Sequence, residues 1–76
     1  MTQGTMSVLN REGDMTVTWD SEVEAEVEHA RQTFNRMREK GHAAYRTREG
    51  GQRGEQIRTF DPSAESILLA PPLAGG

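Results

Sequence analysis

The sequence predicts an α+β fold, with a mixed sheet packed on one long helix in two layers. Three observations predict it. Val23, Val27, Ala30, Phe34 and Met37 recur at steps of four, three, four and three, so they form one apolar stripe on a helix of about 20 residues. Short stretches with strand character flank that segment on both sides, bounded by Gly, Pro and Asp. Finally, a chain of 76 residues without cysteine has a small, unstapled core, and folding buries only about 60% of its unfolded surface. One sheet face covered by one helix is about the most such a core supports.

The elements follow in order. Residues 1–4 read as a loose lead-in. Residues 5–10 and 14–19 read as two strands. In the second, Met15, Val17 and Trp19 share one face and Thr16 and Thr18 the other. In the first, Met6 and Val8 share the core face. Gly13 tolerates the positive φ that a tight hairpin requires. Trp19 shares a face with Met15 and Val17, so it is expected in the core. Asp20 and Ser21 open the helix, where Ser21 with Glu24 fits a capping box and Asp20 is an equally good cap. Gly41 is placed as the residue just past the helix end. Residues 42–48 read as a third strand, 49–54 as a Gly-rich hairpin loop, and 55–60 as a fourth strand. Asp61-Pro62-Ser63 is a turn, because Pro presets φ at the second turn position. Residues 67–70 form the last strand. As the most continuously apolar strand, it is expected in the middle of the sheet beside the first. The order is β-β-α-β-β-β in one domain spanning residues 1–76.

Composition narrows the functional classes. Without cysteine there is no disulfide, thiol nucleophile or thiolate metal site, and a cytoplasmic setting is expected. No stretch combines a basic segment with an apolar run as a signal peptide does. None approaches the roughly 20 apolar residues of a membrane span, so no membrane partner is expected. The formal net charge of −3 is unevenly spread. Acids fill residues 12–28 without a Lys or Arg, whereas Arg31, Arg36, Arg38, Lys40, Arg46, Arg48, Arg53 and Arg58 follow. Along the helix this places Glu22, Glu24, Glu26 and Glu28 early and Arg36, Arg38 and Lys40 late, which complements the helix dipole.

No enzyme motif appears. There is no Gly-x-Ser-x-Gly elbow and no Walker-type loop. Gly50, Gly51 and Gly54 lie between two strands and do not open a helix, so they make a poor phosphate cradle. His29 and His42 are the only histidines, and neither has a partner at ligand spacing, so no metal site is expected. The chain is therefore expected to be no enzyme and to hold no cofactor of its own.

The end of the sequence carries the sharpest functional signal. The apolar run Ile67-Leu68-Leu69-Ala70 enters Pro71-Pro72 and then Leu73-Ala74-Gly75-Gly76. Prolines lack a backbone donor, so pairing stops at Pro71 and the chain leaves the sheet as a projecting tail over residues 71–76. Gly75 and Gly76 let another protein's backbone approach closely.

This tail closely resembles the ends of the small sulfur-carrier proteins of molybdopterin and thiamine synthesis. Its final glycines are similar to those of ubiquitin and archaeal ubiquitin-like modifiers. Residues 61–69 resemble the turn and last strand of the same family, and the coarse element order resembles its β-grasp, or ubiquitin-like, fold. The resemblance covers about the last fifteen residues closely and the remainder only in element order. It implies that an ATP-dependent activating enzyme adenylates the carboxylate of Gly76. Sulfur transfer then gives a thiocarboxylate, or an amine gives an isopeptide. Leu73, Ala74, Gly75 and Gly76 would be the activation tail, and the partner enzyme, not this chain, would use the ATP.

A second reading rests on Arg46, Arg48, Arg53 and Arg58. If Arg46, Arg48 and Arg58 share the open sheet face, they form a basic patch for an acidic protein partner, or for nucleic acid. The overall acidity disfavours nucleic acid. This reading makes the chain a non-catalytic interaction module, such as an accessory or structural protein of a phage or mobile element.

Overall fold

The structure is a computed structural model, and it describes residues 3–10, 13–47 and 54–72. Its elements are β1 (Gln3–Val8), β2 (Met15–Asp20), α1 (Glu24–Glu39), β3 (Ala43–Thr47), β4 (Glu55–Ile57) and β5 (Ser66–Ala70). They form one five-stranded mixed sheet in the order β2-β1-β5-β3-β4. β1 pairs antiparallel with β2 and parallel with β5, and β3 pairs antiparallel with both β5 and β4. The last strand thus lies in the middle beside the first, as its continuous apolar run predicts. No helix among the described residues is long and apolar enough to cross a membrane.

Register fixes the two faces. Met6 lies opposite Val17 and Ile67, Val8 opposite Met15 and Leu69, and Ala44 opposite Leu69 and Ile57. Except for Met15 and Ile57, these side chains are buried with Ala30, Phe34 and Met37 of α1 in one core. Strand side chains alternate between faces. The open face therefore carries Thr5, Ser7, Thr16, Thr18, Leu68, Tyr45 and Gln56, with no lysine or arginine from the described strands.

Trp19 organises the helix side. It is fully buried, as expected. Its Nε1 donates to the carbonyl of Pro62 at 3.0 Å. Phe60 stands edge-on to Trp19 at 5.0 Å between centroids and to Phe34 at 5.8 Å. These contacts explain two departures from the expected boundaries. β1 starts at Gln3, inside the expected lead-in, because Gly4 pairs with Trp19 and the indole lies over it. β4 stops at Ile57, since Phe60 must leave the sheet to reach the aromatic cluster. The chain from residue 58 to 65 then crosses to β5, which runs parallel to β4, and parallel strands cannot be joined by a tight turn. Within that crossing the expected turn is present. Asp61 Oδ1 accepts from the Ser63 N–H at 2.9 Å, and Ala64 N–H donates to Asp61 O at 3.1 Å.

The helix start also differs. α1 begins at Glu24 after an extended Val23 that supplies no side-chain cap, so the Ser21–Glu24 capping box does not form. Asp20 ends β2 and first turns the chain. Its carboxylate accepts the Glu22 N–H and its carbonyl the Val23 N–H, both at 2.9 Å, while Glu26 Oε1 accepts the Asp20 N–H at 2.9 Å. Local side-chain bonds of this kind compete with helix initiation. The other boundary is as expected: Gly41, at φ +99°, follows the C-cap Lys40. Gly41 N–H donates to Arg38 O and His42 N–H to Met37 O, both at 3.0 Å, which is a Schellman closure. Gly13 has the positive φ that its hairpin role predicts.

Candidate functional site

The candidate site is the foot of the tail, where the chain leaves β5. Four segments meet there because β5 is parallel to β1 and antiparallel to β3. The ends of β1 and β5 and the start of β3 therefore lie at one end of the sheet. Leu9 N–H continues the β1–β5 ladder by donating to Leu69 O at 2.9 Å. Pro71 and Pro72 follow, both exposed. A Cβ on Gly41 would lie 3.5 Å from the Pro72 ring, so the proline packs on the helix end.

His42 ties these segments together. It is only 5% exposed. Its Nε2 lies 3.1 Å from the Leu9 carbonyl, which can only accept, so Nε2 carries the proton. Arg38 Nη1 donates to His42 O at 3.0 Å. Two further buried atoms, Arg38 Nε and His42 Nδ1, have no hydrogen-bond partner among the described residues. Each would cost on the order of 1–3 kcal/mol if nothing satisfied it. The sequence places His42 directly after Gly41, with no partner at ligand spacing. It gives no sign of the bond to Leu9, 33 residues away in the chain.

Arg36, Arg38 and Glu39 lie in the last turn of α1 and Lys40 is its C-cap, directly before Gly41. None of the three bases has an ion-pair partner among the described residues, whereas Arg31 pairs with Glu28, and Arg46 with Glu55 and Asp61. The other acids of α1, Glu24, Glu26 and Glu28, lie toward its first turn, roughly 20 Å away at about 1.5 Å per residue. A shallow cleft of about 570 Å³ opens at that far end, lined by Ser21, Glu24, Val27, Glu28, Arg31 and Pro62.

The sequence-predicted residues divide in three. Leu73, Ala74, Gly75, Gly76, Arg48 and Arg53 lie outside the described residues. Arg46 lies opposite Ile67 and so points to the helix side of the sheet, not to the open face with Tyr45. Its Nη1 donates to Asp61 Oδ2 at 3.0 Å and its Nη2 reaches Glu55 Oε1 at 3.5 Å. The Ser63 hydroxyl and N–H, with Arg46, hold the Asp61 carboxyl below its ordinary range. Arg58 is exposed in the bend after β4. The expected basic sheet face is therefore not assembled by the described residues, because alternation puts Arg46 on the other side and acids neutralise it.

Among the described residues, no three His, Cys, Asp or Glu side chains converge as a metal site would require. His29 is exposed on α1, where its carbonyl accepts from Thr33 Oγ1 at 3.1 Å. Comparison of the chain with protein-family models, curated proteins and solved structures gives no significant match.

Proposed function

We propose that the protein is a small β-grasp-like carrier or modifier whose Gly76 carboxylate is activated by an ATP-dependent partner enzyme. The observation that carries this reading is the placement of β5. The strand that leads into the tail is held on both sides, by β1 and β3, and it releases the chain through two exposed prolines. A hairpin, a helix and a last strand inserted parallel beside the first are an arrangement consistent with the resemblance at residues 61–76.

The chemistry asks little of the chain itself. A carboxylate oxygen of Gly76 attacks the α-phosphorus of ATP and pyrophosphate leaves. The resulting acyl-adenylate is then attacked at its carbonyl carbon and AMP leaves. A sulfide-level sulfur nucleophile gives a C-terminal thiocarboxylate; a lysine amine gives an isopeptide and loses a proton. This chain contributes position, a stiff exit at Pro71-Pro72 and a narrow end. Residues 73–76 extend at most about 14 Å, enough to enter a cleft while the folded body stays outside.

The test is the intact mass of the protein from its native host, with the C-terminal peptide fragmented. Exchange of one oxygen for sulfur at Gly76, or a Gly76-linked peptide on a foreign lysine, is the expected result. Fragmentation is needed because the chain has four methionines, whose oxidation adds nearly the same mass. A free carboxylate under every growth condition overturns the reading.

A further inference from the structure

We propose that the cationic end of α1, formed by Arg36, Arg38 and Lys40, docks an acidic face of the enzyme that activates the tail. The inference rests on the carrier reading and adds to it the chemistry of the partner's surface. Three observations support it. The bases lie in the last turn and at the C-cap of α1, directly before Gly41, on which Pro72 packs. They have no ion-pair partners among the described residues, whereas Arg31 and Arg46 are neutralised within the chain. Apart from Glu39, the acids of α1 sit toward its other end, with Glu24 and Glu26 in the first turn and Arg36 and Arg38 in the last.

Geometry favours a specific surface over diffuse charge. Arg36 and Lys40 are four residues apart, so both project from one flank of α1, and both are exposed. Arg38 lies on another flank, half-buried, with Nη1 anchored on His42 O at 3.0 Å. Its guanidinium is thereby held at the tail foot. These charges share the end of α1 on which Pro72 packs, so an acidic rim around the partner's cleft would attract this end. The opposite end, with Glu24 and Glu28, would be repelled.

The test supplies isotopically labelled full chain and ATP to a clarified extract of the native host. It follows formation of the Gly76 adduct by intact mass. Arg36→Glu with Lys40→Glu is expected to slow adduct formation about tenfold or more at low salt. Glu24→Lys with Glu28→Lys changes the charge equally at the far end and is expected to stay within about twofold of the parent. Raising salt from about 50 mM to about 500 mM should slow the parent and speed the reversed variant, whose like-charge repulsion it screens. Far-ultraviolet circular dichroism melts check the fold. Should the double reversal unfold, Arg36→Gln with Lys40→Gln replaces it, with the same direction expected. A folded variant with the parent's rate and salt dependence overturns the docking surface and leaves the carrier reading standing. Absence of any adduct on the parent overturns both.

Discussion

Gly4→Ala is the smallest change that tests how the core is organised. Gly4 lies opposite Trp19 across the β1–β2 pair. A methyl group there would fall 2.2 Å from Cζ2 and 2.4 Å from Cε2 of the indole. Both distances are far inside contact, so the ring must move. The indole is fully buried, and its Nε1–H bond to Pro62 O and its edge contact with Phe60 fix its position. Losing the hydrogen bond costs about 1 kcal/mol, losing the aromatic geometry about 0.5–1.5 kcal/mol, and the overpacking about 1–3 kcal/mol. Partial relaxation makes these terms overlap, so the expected loss is about 3 kcal/mol. A 76-residue domain has roughly 4–11 kcal/mol in total, and the melting midpoint should fall by about 12–24 °C. Urea unfolding followed by circular dichroism and by the fluorescence of the single tryptophan reads this directly. In a Trp19→Leu background the same glycine change should cost less than about 1 kcal/mol, because the atoms it strikes are gone. A loss below about 0.5 kcal/mol in the parent, or full additivity with Trp19→Leu, refutes the packing argument.

Three further outcomes follow from the structure. Gly41→Ala should cost about 1–2 kcal/mol in urea unfolding, because φ +99° strains an L residue, whereas the new methyl would meet Pro72 only at an ordinary 3.5 Å. His42→Ala removes the partner of Leu9 O and should cost about 1–3 kcal/mol, with faster amide exchange at Leu9, whose N–H holds Leu69 O. Asp61 should make stability fall on acidification. Ser63 and Arg46 lower its folded-state pKa from the ordinary 3.8, so the folded state binds its proton less readily than the unfolded chain does. The contribution is complete above the unfolded pKa and is lost as pH falls through the folded one. Below about pH 4 the urea midpoint of the parent should therefore drop more steeply than that of Asp61→Asn.

Much of this fold was legible wherever a signal was local. The i, i+3, i+4 stripe marks α1, and Phe34 and Met37 are indeed buried. Gly41 terminates the helix by its conformation, and the apolar run places β5 in the middle. Apart from the helix cap, the failures share one cause, which is that the deciding partner lies far along the chain. Gly4 belongs to a strand because of Trp19. Phe60 leaves β4 because Trp19 and Phe34 await it on the helix side. Asp20 and Ser21 look like interchangeable caps, yet Asp20 must also end β2 and reverse the chain, so neither caps the helix. Arg46 shows the same limit at the candidate site. Its alternation with Tyr45 is visible in the sequence, but which of the two faces the helix is set by pairing with Ile67. The basic patch expected on the open face thus gives way to an Arg36–Arg38–Lys40 end whose significance depends on where Pro72 emerges.

The position of β5 gives a physical reason for a tail to leave from there. A partner that threads a chain end through a narrow cleft pulls on whatever anchors it. An edge strand would peel: β4 has three register pairs, all with β3. β5 has four with β1 and five with β3, and two of its side chains, Ile67 and Leu69, are fully buried. Displacing it breaks both ladders and opens the core in the same movement. β5 is thus anchored more firmly than an edge strand of the same sheet. The tie from His42 to Leu9 extends that anchorage to the last residues before the prolines. β5 is therefore held on both sides, and by its buried side chains, up to the two exposed prolines that follow it.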